Sequence, residues 1–333
     1  MVPASIREEQ VGIDDQGLRP GDLREARQRV ARGARVTPLI LSDALSARFG
    51  QRLALKCENL QAGGAFKIRG ATNFVAQIKD EERARGLITY SSGNHAIAVA
   101  LAARRSGCPA VVVMPETAPA LKVDRVRDLG AEIHRAGTTS LERRARAERL
   151  QAERRLTMVP PFDHPWIIAG QSTCGVEILE QMPDTGLVLV PVGGGGLLSG
   201  IALACSYHRA GIRVVGVEPK GAAKMSSSLK AKAPISLPSV HSIADGLLPS
   251  RPGDLTFPIA LRFVEDVVTV GDDDIAEAAR LLLRDDHLLV EWSGAVGLAA
   301  LLSGAVRPAG GATVLVLSGG NVEPRAIVEG PSG

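Results

Sequence analysis

A chain of 333 residues is long for one hydrophobic core, and the scaling of buried surface with size predicts about two domains with a cleft between them. Apolar residues make up 45% of the chain and charged residues 23%, which excludes a disordered protein, and 39 basic against 36 acidic residues leave a net charge of +3, too small and dispersed for a nucleic-acid footprint. The four cysteines, Cys57, Cys108, Cys174 and Cys205, show no C-x-x-C pair and follow no secretory leader, so they are expected as reduced core residues of a cytoplasmic protein.

In chain order, "GGAFKIRGATNF" at residues 63–74 comes first, setting Lys67 between an aromatic residue and a patterned, turn-rich surround. The strand "LITY" leads into Ser91-Ser92-Gly93-Asn94-His95 and the helical "NHAIAVALAARR". Small donors opening a helix suit a carboxylate or phosphate, because the first amides lack partners and the helix dipole adds positive potential. They equally suit an ordinary cap, with Asn94 or Ser92 as the capping residue. "AVVVM" and "PALKVDRVRDLG" repeat the strand-then-helix pattern, and "LERRARAERLQAERR" at residues 141–155 has the spacing of a solvated helix face.

The longest uncharged stretch, Gly186 to Tyr207, has the length of a membrane span, but Pro191 and four consecutive glycines would break a helix at its centre. Strand, turn and helix are expected there, and no membrane partner. Gly193, Gly194, Gly195 and Gly196 can turn their amides toward one anion, so a phosphate is the natural guest, with a plain flexible turn as the alternative. Leu198 stands where a dinucleotide fingerprint needs its last glycine, and no Lys-Ser or Lys-Thr follows as in a P-loop. "RVVGVEP" and "TVLVLSGG" are two further strands, the second ending in Ser318-Gly319-Gly320-Asn321, while "SSSLKAKAP" near residue 230 reads as at most a short surface loop. Alternating strands and helices predict an α/β fold of mostly parallel sheets covered on both faces, with ligands beyond the carboxyl ends of the strands.

Together, Lys67 and the three post-strand turns resemble the fold-type II pyridoxal-phosphate enzymes, related to the β subunit of tryptophan synthase, and within them the threonine and serine dehydratase group that includes serine racemase. "KCENLQAGGAFKIRGA", "SSGNHA", "GGGG", "IAGQST", "IADG" and "SGGN" carry the likeness, which covers roughly residues 35 to 325. The resemblance implies pyridoxal 5′-phosphate as cofactor, in a Schiff base with Lys67 and flanked by Phe66. It implies that Asn94 binds the phenolic oxygen, Gly193 to Gly196 the phosphate and Ser318 the pyridine nitrogen, with Gly246 beside the ring and Glu291 in the pocket wall. Ser91, Ser92, Gly93, Asn94 and His95 would receive the substrate carboxylate, and Ser92 stands where racemases place a second proton-transfer group. Two lobes are implied, a large one of residues 1–74 and 159–333 and a small one of 75–158, in a homodimer.

The implied activity is β-elimination of threonine or serine to a 2-oxo acid and ammonia, with Lys67 moving the α-proton. A racemase or epimerase is the alternative, as is a dehydratase of a bulkier substrate such as 3-phenylserine or 3-hydroxyaspartate; a noncatalytic anion-binding protein would keep the glycine loop without needing the lysine. The likeness has departures. Ala65 replaces a usual serine, Ala96 a frequent glycine, and Trp292 in "EWSGA" either fills core space or reshapes the pocket wall. In metal-dependent relatives a glutamate and an aspartate hold a divalent ion. Here Glu218 and Ala222 match but Lys224 replaces the aspartate, so no metal is expected: the ammonium either takes the ion's place or is a solvated surface lysine. The chain's length predicts no regulatory domain and no feedback inhibition by isoleucine.

Overall fold

The computed structural model describes residues 17–308 and 310–330. The outermost parts of the expected large lobe, residues 1–16 and 331–333, and residue 309 lie outside the described residues. Among the described residues ten strands form two sheets. They are β1 (Leu39–Leu41), β2 (Leu53–Lys56), β3 (Leu87–Tyr90), β4 (Ala110–Met114), β5 (Glu132–Arg135), β6 (Thr157–Met158), β7 (Thr185–Pro191), β8 (Arg213–Pro219), β9 (Asp266–Val270) and β10 (Ala312–Val316).

The larger sheet has the order β1-β2-β10-β7-β8-β9 and the smaller β5-β4-β3-β6. Every pairing is parallel except that of β1 with β2, which sequence patterning did not anticipate. Side chains alternate across a strand, so both faces of these strands must be apolar to be covered. Leu187, Leu189, Val215, Val217 and Leu315 join one core with Leu281 and Leu298 of the helices Asp272–Asp285 and Trp292–Leu302. Val188, Val190, Val214 and Val314 face the opposite way and pack against Ile178 and Ile201 of the helices Pro165–Gln181 and Gly196–His208. The small sheet repeats the scheme, Leu87 and Val112 joining the core that contains Ile97 and Val99, Ile88 and Val111 the core that contains Ala147 and Leu150.

The stretch of membrane-span length divides into β7, the glycine turn and the Gly196–His208 helix, and among the described residues no helix is long and apolar enough to cross a membrane. The arginine-rich segment is the helix Ser140–Arg154, closed at its start by a capping box of Thr139 with Glu142 and burying only Arg143, Ala147 and Leu150. "SSSLKAKAP" is not simply a surface loop. Ser226 to Ala231 belong to the helix Lys224–Ala231, whose Lys224, Met225, Ser226 and Ser228 are buried. The cause is Glu218, whose buried carboxylate accepts the amide hydrogens of Met225 and Ser226 at 2.9 and 3.0 Å and so organises the first turn. All four cysteines are buried and free, and desolvation raises Cys57 and Cys205 to about 12.

Candidate active site

Lys67 opens the helix Lys67–Val75, which starts where the chain crosses the end of β10. The Phe66 amide donates to the Ser318 carbonyl at 3.1 Å, and Ala65 pairs with Gly319, so the lysine segment is stitched to the turn after β10. Behind it, the fully buried Arg69 holds Glu58 and Glu177 with both carboxylate oxygens of each at 2.6–2.8 Å, and Lys56 adds a 2.6 Å bond to Glu177. The lysine amine itself has no acidic partner among the described residues. It donates to the Pro161 carbonyl at 2.7 Å and lies 5.2 Å from the centre of the Phe66 ring. Desolvation lowers it from 10.5 to about 8. An amine so placed is a nucleophile and a base near neutral pH.

The turn after β3 brings Ser91, Ser92, Gly93, Asn94 and His95 to the opening of the helix Asn94–Arg105. The capping residue is Gly93, not Asn94 or Ser92, and no side chain caps the helix. Asn94 is engaged elsewhere: its Nδ2 donates to Glu291 Oε1 at 2.5 Å, and its Oδ1 accepts from Asn321 Nδ2 at 2.8 Å. The Gly93 amide donates to Ser91 Oγ at 3.2 Å. The His95 ring is buried and its Nε2 lies 3.1 Å from the Val159 carbonyl, an acceptor, so Nε2 carries the hydrogen. Desolvation, with the nearby Lys67 charge, lowers His95 to about 3, and the ring is neutral at working pH.

The Gly193–Gly196 run lies between β7 and the Gly196–His208 helix, again with no side-chain cap. Gly195 has φ +101°, and a Cβ at Gly194 would lie 2.4 Å from atoms of the Phe162 ring. Side chains are excluded twice over, leaving backbone amides at a helix start, which can hold a phosphate. Thr256 Oγ1 donates to the Gly194 carbonyl at 2.7 Å and fixes the loop from behind. Gly246 is the exception in its surroundings, an exposed residue whose amide donates to Ser293 Oγ at 2.9 Å.

Glu291 caps the Trp292–Leu302 helix by position but bonds Asn94 with its side chain. Its other oxygen, Oε2, is buried without a partner among the described residues. Desolvation raises the acid to about 7, against the lowering effect of Lys122. A Cβ at Gly319 would lie 2.5 Å from Glu291 Oε1 and 3.1 Å from both Ala65 and Asn94 Nδ2, so this glycine permits the convergence of the lysine segment, the turn after β3 and the β10 turn. Ser318 is 4% exposed at that junction. Trp292 is buried in the core on the face of the large sheet nearest the helix it begins. Two more contacts join the small-sheet helix Ala120–Asp128 to the large-sheet side: Lys122 to Asp245 at 2.5 Å, and Arg125 to Asn321.

Lys224 is no surface lysine. Its ammonium is fully buried, 3.0 Å from Glu218 Oε1, and donates to the carbonyls of Val192, Ala222 and Leu247 at 2.8, 3.2 and 3.0 Å. Burial lowers its proton affinity and Glu218 opposes that shift. One carboxylate and three carbonyls around a positive charge make an oxygen cage filled by the protein's own cation, and the Val192 and Leu247 carbonyls place it directly behind the glycine run and Gly246. Among the described residues no cluster of three or more metal-ligating side chains occurs.

The profile of a family described as pyridoxal-phosphate dependent enzyme matches residues 30–320. The chain belongs to that family. It is 44% identical over 305 residues to the L-threonine ammonia-lyase of Geobacter sulfurreducens, spanning 92% of this chain and 76% of that protein. It is 41% identical over 306 residues to the serine racemase of Oryza sativa subsp. indica, spanning 90% of each. The solved structure of maize serine racemase matches with a TM-score of 0.89 at 39% identity, covering 93% of this chain and 95% of that one. The fold is the fold-type II arrangement of pyridoxal-phosphate enzymes, and the cofactor of this pyridoxal-phosphate enzyme is pyridoxal 5′-phosphate. The residues present fit it: two helix starts without side-chain caps, an unpartnered buried Glu291 oxygen, and a lysine amine free of acidic partners. Pattern reading missed Pro161, Phe162, Thr256 and Lys122, none of which carries a local signal. Asp245 and Asn321 lay inside the quoted "IADG" and "SGGN" runs, which was the one hint available.

Proposed function

We propose that this enzyme catalyses β-elimination of a β-hydroxy amino acid, threonine or serine, giving a 2-oxo acid and ammonia. The observation that carries the reading is Lys67, an amine lowered to about 8 whose side-chain partner among the described residues is a carbonyl, set near a neutral His95 and a Glu291 raised to about 7. When bound, pyridoxal phosphate supplies the electron-withdrawing ring that acidifies the substrate's α-hydrogen.

In this reading Gly193 to Gly196 hold the cofactor phosphate, Asn94 its phenolic oxygen and Ser318 its pyridine nitrogen, with Phe66 and Gly246 beside the ring and Glu291 in the wall. A neutral hydroxyl at Ser318 leaves that nitrogen largely unprotonated, which favours prompt loss of the β-hydroxyl. Ser91, Ser92, Gly93, Asn94 and His95 take the substrate carboxylate, and the Lys67 amine removes the α-proton, a general-base contribution on the order of 100- to 10,000-fold. Residues 75–158, which include all four small-sheet strands, act as a lobe that closes on the substrate and excludes water. Racemisation is the second reading, favoured by the half-buried Ser92 hydroxyl in the carboxylate turn and by the likeness to serine racemases. A cytoplasmic homodimer is proposed from the family resemblance.

The test incubates purified holoenzyme with L and D forms of threonine, serine, 3-phenylserine and 3-hydroxyaspartate, measuring 2-oxo acid and chirality together. Production of 2-oxo acid from L-threonine or L-serine, lost along with the cofactor's visible absorbance in Lys67→Ala, is expected. Absence of 2-oxo acid from every substrate sinks the elimination reading, and chirality change without it favours the racemase.

A further inference from the structure

The carboxylate turn has a puzzle of charge. Ser91, Ser92, Gly93 and Asn94 are uncharged, and His95 is held neutral by burial. A substrate carboxylate leaving water for this turn would meet hydroxyls and amides but no formal positive charge among them. A cationic side chain reaches this turn from a different helix. Lys122, on Ala120–Asp128, lays its side chain along Gly93: a Cβ built on that glycine would lie 3.0 Å from Lys122 Cδ and 3.1 Å from its Nζ. The lysine's close approach leaves no room for a side chain at this position.

The side chain of Lys122 is only 7% exposed. Among the described residues its ammonium has one protein acceptor, Asp245 Oδ2 at 2.5 Å. An ammonium has three hydrogens to donate, and a buried donor left unsatisfied is costly. Asp245 is itself 42% exposed, so it retains a solvent route when it shares the lysine. The ammonium lies beside Gly93, at the start of the Asn94–Arg105 helix.

We propose that Lys122 is the cation that receives the substrate's α-carboxylate, sharing its ammonium between that carboxylate and Asp245. The proposal rests on the amino-acid reading of the site above. It assigns the positive charge of substrate recognition to the helix Ala120–Asp128 and not to the turn itself, and it gives Asp245 the role of a competing anion that holds the lysine in place before substrate arrives.

The test measures binding to holoenzyme through the change in the cofactor's visible absorbance, using L-serine and, as a probe without a carboxylate, 2-aminoethanol. In Lys122→Gln the affinity for L-serine falls roughly 10- to 100-fold, the span of a charge-assisted hydrogen bond, while that for 2-aminoethanol stays within about 2-fold. In Asp245→Asn, which removes the competitor but leaves the lysine, L-serine binds as tightly as in wild type or more tightly. A purely structural tether between the lobes predicts instead that both substitutions weaken both probes, and that pattern overturns the proposal, as does an unchanged affinity of Lys122→Gln for L-serine. Loss confined to 3-hydroxyaspartate, with L-serine spared, also overturns it by moving the lysine to a side-chain carboxylate. Failure of the wild-type holoenzyme to bind any amino acid would instead remove the reading on which the proposal stands.

Discussion

Lys224 and Glu218 form a 3.0 Å ion pair in which neither side chain has any exposed surface, and the ammonium is completed by three main-chain carbonyls. Removing one partner of such a pair leaves an uncompensated buried charge, so Lys224→Met is expected to cost about 3–5 kcal/mol of stability, read from chemical denaturation. Because the cage already holds a cation, exhaustive chelation is expected to leave the steady-state rate unchanged, and added Mg²⁺ or Ca²⁺ to give no rise. A rate lost on chelation and restored by either ion would show that the ammonium does not replace the metal.

Lys67 predicts the pH dependence of cofactor uptake. Only the neutral amine attacks the cofactor's aldehyde, and in the folded apoprotein it forms as pH rises through about 8 instead of 10.5. The rate of regain of visible absorbance by apoprotein is therefore expected to climb with pH to a plateau, with its midpoint near 8. The same shift has a stability counterpart of defined sign. Between about 8 and 10.5 the unfolded chain binds the proton that the folded one has released, so the lysine's contribution makes the folded apoprotein more stable as pH rises through that window.

Glu291 has the opposite linkage. Its folded-state value near 7 lies above the ordinary 4.5, so the folded protein holds a proton that the unfolded chain has lost between those two pH values. Stability from this group is complete below about 4.5 and is lost as pH rises toward 7, by about 1.4 kcal/mol per pH unit at most. Glu291→Gln, which cannot ionise, is expected to remove that slope. Denaturation midpoints of the two proteins at pH 5, 6 and 7 check it, and parallel curves would show that Glu291 ionises as an ordinary carboxylate.

Arg69 grips Glu58 and Glu177 two residues beyond Lys67, with no exposed surface. Arg69→Met leaves Glu58 buried without a cation and Glu177 with Lys56 alone, and is expected to cost about 3–5 kcal/mol. Lysine is no conservative replacement, because it lacks the planar fork that meets two carboxylates at once. Urea denaturation compares the two variants, and a near-wild-type Arg69→Lys would show that charge alone suffices.

Gly194 faces the Phe162 ring, and a methyl group would lie 2.4 Å from its atoms. Gly194→Ala is expected to raise the dissociation constant for pyridoxal phosphate by roughly 10-fold or more, since the ring and the amides it flanks must shift together. Equilibrium dialysis of apoprotein measures it. An unchanged constant would place the phosphate elsewhere.

What was legible in the sequence was local. "LITY", "NHAIAVALAARR", "AVVVM" and "RVVGVEP" correspond residue for residue to two helix-flanked strands, one helix and β8, because short continuous apolar, β-branched runs mark strands covered on both faces and longer runs without breakers mark helices. The post-strand turns were visible for the same reason. What stayed hidden was set by tertiary pairing. A three-residue antiparallel strand such as β1 has too few positions for a pattern. Asn94 looks like a helix cap, but Glu291 and Asn321, about 200 positions away in sequence, claim its side chain. Lys122 and Lys224 look like ordinary helix lysines, and only the folded chain shows that one lies along Gly93 and the other is enclosed by carbonyl oxygens.

Lys122 and Arg125 stand one turn apart on a single short helix, and each reaches a residue on the large-sheet side, Asp245 and Asn321. Two pins on one rigid bar cannot be drawn independently. In the proposed lobe motion, opening would have to break an ion pair and a hydrogen bond held by the same helix, so the closed arrangement would be favoured until both are exchanged for water.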